Sequence, residues 1–155
     1  MKKIWTLYIA TVMLCIFIMN AYLISGHTKD EFNCRASFTV SSYGFITSVV
    51  ATIRSKNGSG VIFYDGPIYK GNNKFSYISR QVKFKIDHTN LSILLKGTSV
   101  RKNDTDKVSQ DDAVKVLPDF FVKDNSSIYF DINEDTHGYF FIKDNVPMFF
   151  CRKLE

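Results

Sequence analysis

Ile4 to Ile24 is an uncharged, largely apolar run of 21 residues, and whatever this chain folds into must place that run out of water. At about 1.5 Å of rise per residue, a helix of that length spans roughly 30 Å, the thickness of a bilayer's hydrocarbon core. The run predicts a single transmembrane helix. Lys2 and Lys3 precede it and no Lys or Arg follows until Lys29, so the positive-inside bias keeps residues 1–3 in the cytoplasm and exports the remainder. Trp5, Tyr8 and Tyr22 lie toward its two ends, where amphipathic rings favour the headgroup level. A cleaved secretory signal shares the basic start, but its apolar core is usually only about 7 to 15 residues, and no small-x-small pair follows this run. Cys15 lies mid-run behind bulky Leu14, which does not suit a lipidated cysteine. The expectation is an uncleaved anchor.

The anchor divides the chain into residues 1–3 on the cytoplasmic side, the span 4–24, a polar tether 25–33 and an exported domain 34–155. About 125 to 130 residues suffice for one core and do not call for a second. The formal charge of +5 falls to +3 once Lys2 and Lys3 are set aside, because all 15 acidic residues follow the run. With no basic block and an exported address, nucleic acid is excluded as a partner class.

Two cysteines remain outside the span, Cys34 and Cys151. In an oxidising compartment such a pair is most simply a disulfide, and the alternative is two buried free thiols. Both fall in phase with apolar neighbours. Cys34, Ala36, Phe38 and Val40 alternate with Arg35, Ser37, Thr39 and Ser41, and Phe149 shares a face with Cys151, the period-two signature of a half-buried strand.

Short strand patterns bounded by turn residues continue along the domain. Phe45 to Arg54 reads as a strand, Asn57-Gly58 as a hairpin turn, and Val61 to Asp65 as a third strand ended by Gly66 and Pro67. Ile68 to Lys70 adds a few paired residues. Phe75 to Asp87 is the longest strand pattern, with Ile78, Val82, Phe84 and Ile86 on one face and Ser79, Gln81, Lys83 and Lys85 on the other. Arg80 falls on the apolar face. Either a bulge over Ser79 to Gln81 or a place at the sheet rim returns it to solvent, or it meets an acceptor: a ligand carboxylate, or an acidic residue of this or another chain. Leu91 to Val100 is a further strand, and Arg101 to Asp112 is a polar loop. The Ser109 to Leu117 stretch is compatible with a short helix capped by Ser109 and ending near Pro118, and a second short turn at Pro118 to Lys123 stays equally open. Ser126 to Ile132, Tyr139 to Lys143 and Pro147 to Arg152 complete the pattern, with Asn133 to Gly138 as a turn. Seven or eight strands with at most one or two helical turns predict a mainly β antiparallel barrel or sandwich.

Groups for chemistry are sparse. His27 sits in the tether and His88 and His137 in turns, without metal-site spacing, so no catalytic residue, metal or cofactor is assigned. Asp65 with Asp131, or Asp135 with His137, are ordinary turn and strand-end carboxylates. The chain lacks G-x-S-x-G, a P-loop and CxxC. Four N-x-[ST] sequons, at Asn57, Asn90, Asn103 and Asn125, matter only in a eukaryotic secretory pathway.

Phe32-Asn33-Cys34, the Gly58-Ser59-Gly60 turn into Val61-Ile62-Phe63-Tyr64, Ile78-Ser79-Arg80-Gln81-Val82-Lys83-Phe84 and the Phe149-Phe150-Cys151 close, behind one basic-flanked anchor, resemble the FidL-like membrane proteins of Gram-negative enteric bacteria. The resemblance implies a single-pass inner-membrane protein with its C-terminal domain in the periplasm. It also implies a role like that of ToxS and VtrC, partners of membrane-bound ToxR-like winged-helix transcription regulators. In those relatives the two periplasmic domains form a heterodimer through a lipocalin-like barrel, and some bind bile salts. The expected fold is then a small lipocalin-like barrel, or a half-barrel short of closure with an edge strand free for the partner, carrying one short helix. The family supplies no catalytic residue; Cys34, Cys151 and Arg80 are the positions that carry over, Arg80 as a ligand or partner contact. Two other roles stay open: an autonomous module that binds lipid or bile salts by itself, and a structural component of an envelope complex.

Overall fold

The structure is a computed structural model and describes residues 11–19, 31–89 and 92–154. Residues 11–19 are helical (α1), and among the described residues no helix is long and apolar enough to cross a membrane. Both ends of the predicted Ile4–Ile24 span, and most of the 25–33 tether, lie outside the described residues.

Beyond them the chain forms eight strands, β1 (Asn33–Ser42), β2 (Phe45–Lys56), β3 (Ser59–Lys70), β4 (Asn73–His88), β5 (Ile93–Lys102), β6 (Ser127–Asp135), β7 (Gly138–Lys143) and β8 (Val146–Lys153). They pair antiparallel in chain order and close as a barrel, β8 returning to β1. Two short helices, α2 (Gln110–Val116) and α3 (Asp119–Val122), sit in the β5–β6 connection. Of the two forms expected, barrel and half-barrel, the chain takes the closed barrel, and two short helices stand where one was expected. Ser109 accepts a hydrogen bond from the Asp112 amide and starts α2, as its sequence position predicts.

Alternation explains the closure. Phe45, Thr47, Val49, Ala51 and Ile53 on β2, and Ile62, Tyr64 and Ile68 on β3, are all buried, so each strand has one face that must be covered and one that need not be. Rolling the sheet on itself covers every such face at once. The hairpins set the register: Tyr43-Gly44, Asn57-Gly58 and Asp144-Asn145 each place two successive residues at positive φ, the twist that suits a two-residue turn.

Three boundaries differ from the sequence reading. First, β3 runs through Gly66 and Pro67 instead of ending there. A Cβ on Gly66 would lie 1.9 Å from the Ser48 carbonyl oxygen, so only glycine lets β2 and β3 approach, and the β2–β3 ladder skips Ser48 and Val49 where Pro67 has no N–H to give. Second, β5 reaches Lys102 and β6 reaches Asp135: polar tips that read as loop are held by ladder bonds from their neighbours. Third, Asn33, placed in the tether, is the first residue of β1 and pairs with Arg54.

The core is continuous from the barrel into the β5–β6 connection. Val108, Ala113, Val116, Leu117, Phe120, Phe121 and Val122 are buried in the same cluster as the strand residues, so this connection covers the barrel end to which it belongs. Aromatic rings finish the opposite wall, Phe141 stacking on Phe149 at 4.6 Å and Phe149 on Phe38 at 5.1 Å between ring centres.

Candidate functional site

Arg80 is the least expected residue in this interior, being 1% exposed. The bulge that would return it to solvent is absent from Ser79–Gln81; the β4–β5 register shifts further on, between Lys83 and Phe84. Arg80 therefore keeps its phase and points inward opposite Tyr64 on β3. Its charge is met by an acidic residue of the same chain. Arg80 Nε donates to Asp106 Oδ2 at 2.8 Å, and Arg80 Nη1 donates to Gln110 Oε1 at 3.1 Å. Asp106 also accepts from the Ser79 amide at 3.3 Å and the Val108 amide at 3.0 Å, with Lys102 Nζ 3.5 Å away.

The backbone places Asp106 there. After β5 ends, the Asn103 amide donates to the Ser79 carbonyl and the Lys107 amide to the Tyr77 carbonyl, so the chain keeps following β4 and turns Asp106 under Arg80. Gln110 then ties this layer to α3 by donating to the Val122 carbonyl at 2.6 Å. Tyr64 donates to the Phe121 carbonyl, and burial pushes its phenol well above the ordinary range. Arg80 Nη2 and Thr47 Oγ1 are buried without a hydrogen-bond partner among the described residues. The cluster is a polar clamp that fastens the β5–β6 connection to the barrel.

Cys34 and Cys151, 117 residues apart, form a disulfide with their Cα atoms 5.4 Å apart. It sits at the seam where the barrel closes. The β1–β8 ladder there has three pairs, Cys34 with Lys153, Arg35 with Arg152 and Ala36 with Cys151. Ser37–Ser42 of β1 and Val146–Phe150 of β8 continue past it with no partner across the seam. The β5–β6 ladder is also short, with four pairs, but its gap is filled: the Gly97 amide donates to the Ser126 carbonyl and the Val100 amide to Asp124 Oδ1. At the β1–β8 seam the inner side is closed by the Phe38–Phe149 stack, whereas on the outside Phe140 and Phe150 pack ring to ring at 4.7 Å and stay exposed beside Met148.

The family described as the YqeJ C-terminal domain matches residues 33–151, from the first residue of β1 to the disulfide's second cysteine. The chain belongs to that family. The match takes in β1 to β7, the β5–β6 connection and β8 as far as Cys151, so a YqeJ C-terminal domain here means the closed barrel with its clamp and its seam. No curated protein and no solved structure matches the chain.

Of the residues singled out from sequence, Cys34 and Cys151 are brought together at the seam, and Arg80 lies apart from them inside the barrel. His137 and Asp135 adjoin in the β6–β7 turn at 3.7 Å, both exposed, where the amides of His137 and Thr136 hold the Asp135 carboxyl below its ordinary range. Asp65 is engaged by the Tyr77 hydroxyl at 2.7 Å and Asp131 by Ser92 at 2.6 Å. Among the described residues no group of three His, Cys, Asp or Glu could hold a metal ion. Asp106, Gln110 and Tyr64 escaped the sequence reading. The one available signal was indirect: an arginine in phase with a core face requires an acid, and the polar β5–β6 segment is rich in them.

Proposed function

We propose that this chain is a non-enzymatic accessory protein of the inner membrane, anchored by Ile4–Ile24, whose periplasmic barrel associates with and tunes a membrane-bound ToxR-like winged-helix transcription regulator. The observation that carries the reading is the half-open β1–β8 seam. Strand edges at Ser37–Ser42 and Val146–Phe150 lack ladder partners across it, and Phe140, Met148 and Phe150 lie exposed alongside. A strand from a second chain would satisfy the backbone groups, and the exposed rings would supply apolar anchors. Docking at this seam replaces pairing to the edge of an unclosed barrel as the mode of association. The resemblance to FidL-like proteins supplies the identity of the partner and suggests an amphipathic effector such as a bile salt. With Tyr64, Arg80, Phe120 and Phe141 filling the interior, the interface itself is the place for such a ligand, which signals only by binding the associated and free forms unequally.

The rival reading, an autonomous lipid- or bile-binding module, gains from the barrel's closure and loses from its packed interior. Co-purification of the full-length chain with the membrane-bound regulator, combined with a reporter of its output, tests the proposal. The wild type should retain the regulator, and Phe150→Asp, which charges the exposed rim of the seam, should release it and change the reporter. Equal retention by the variant, or no association in membranes or detergent, would overturn it.

A further inference from the structure

The barrel's two ends differ in charge. At the end carrying the β2–β3, β4–β5 and β6–β7 turns, the start of β1 and the end of β8, six exposed cations have no ion-pair partner among the described residues: Arg35, Arg54, Lys56, Lys83, Lys85 and Arg152. Of the acids nearby, Asp87 is paired with Lys96, Glu134 with Lys153 and Asp135 with His137, and Asp131 is held by Ser92, which leaves Glu31 as the exposed acid without an ion pair among the described residues of this end. At the other end Lys102 stands against Asp106, Lys115 against Asp112, Lys123 against Asp119 and Lys143 against Asp144, and the exposed cations without an ion pair among the described residues, Lys70, Lys74, Arg101 and Lys107, are offset by exposed acids equally without one, Asp65, Asp104, Asp111 and Asp124. The excess positive charge therefore gathers at one end.

That gathering opposes ordinary sheet chemistry. Arg35 faces Arg152 directly across the seam, and Lys85 faces Lys96 directly across β4–β5, whereas like charges opposite each other destabilise a sheet. The remaining cations line grooves. One of about 580 Å³ is bordered by Arg54, Lys56, Lys83 and Lys85, and another of about 990 Å³ by Arg35 and Arg152 with His137 at its rim. Self-repelling cations around open grooves form a surface that is relieved by an anionic layer.

The chain's own geometry says which layer. β1 begins at this end, at Asn33, nine residues after Ile24, and a fully extended chain covers at most about 3.6 Å per residue, roughly 32 Å in all. If Ile4–Ile24 spans the bilayer, the basic end is the one held close to the headgroups. We infer that this end of the barrel docks on the anionic phospholipid surface of the membrane that holds the anchor, fixing the barrel upright with the β5–β6 connection pointing away. The inference rests on the anchor reading but requires more than it, since a tether alone leaves the barrel free to tumble. Upright docking would run the seam along the membrane normal and turn its exposed face sideways, where a partner confined to the same membrane can meet it.

The test is amine footprinting by mass spectrometry on the full-length chain in nanodiscs of phosphatidylcholine alone or with one quarter phosphatidylglycerol. In anionic discs Lys56, Lys83 and Lys85 should be modified several-fold more slowly than in zwitterionic discs, with Lys70 and Lys74 at the far end unchanged, and high salt should abolish the difference. Equal modification in both discs would overturn the inference. So would equal protection in zwitterionic discs by added inorganic phosphate, which would mark a small-anion site instead of a membrane surface. Failure to enter zwitterionic discs at all would refute the anchor by itself; salt-sensitive capture of that chain by anionic discs would still support the basic end, and no capture would refute both.

Discussion

Arg80 shows how a single charge can organise a connection. A buried guanidinium needs an acid, and its acid lies in a segment that would otherwise be a solvated loop, so the pair couples strand β4 to the fold of residues 103–122. Removing one partner of such a pair strands the other without solvent and typically costs about 3–5 kcal/mol. Asp106→Ala should lower the stability of the full-length chain by that order in urea unfolding, since the Ser79 and Val108 amides lose an acceptor as well. Arg80→Met should be milder, and the two together should fall short of additivity by about 0.5–3 kcal/mol. Strict additivity would show that the pair does not work as a unit.

At the scale of elements, β3 depends on a residue that the sequence presents as a terminator. Gly66 sits mid-strand because β2 passes too close for any side chain, and Pro67 occupies the position where the β2–β3 ladder lapses. Gly66→Ala should force the two strands apart and destabilise by about 3 kcal/mol or more. Gly71, with φ +59 and open space around it, gives the comparison: Gly71→Ala should cost only the left-handed backbone term, about 1–2 kcal/mol. Similar midpoints for the two variants in urea would contradict the packing argument. The α2 cap is the opposite case, because Ser109 acts on its own next three residues, and such local chemistry reads directly from sequence.

For the molecule as a whole, every ladder but one joins consecutive strands, and the exception, β1 with β8, has three pairs. Closure therefore leans on the Cys34–Cys151 bond, which ties residues 117 apart and in the chain-entropy picture contributes about 4–5 kcal/mol. Replacing both cysteines by serine should lower stability by that order. Amide hydrogen exchange should then rise first along Cys34–Ala36 and Cys151–Lys153, ahead of the β2–β3–β4 ladders. Uniform exchange across the barrel would mean that the seam is no weaker than the rest.

The alternation of apolar and polar residues, the Asn57-Gly58 turn, the phase of both cysteines and the Ser109 cap were legible from residues alone, because each depends on neighbours a few positions away. Those local rules determined a mainly β domain of seven or eight strands with a short capped helix. They also showed Arg80 to be on a core face, but not what answers it. Closure of the barrel, the passage of β3 through Gly66 and Pro67, the partnership of Arg80 with Asp106 and the excess of cations over acids at one end were decided by the tertiary structure. Each depends on which distant strand lies alongside, and in a closed sheet that follows from twist and register accumulated over all eight strands, which no single stretch of sequence contains.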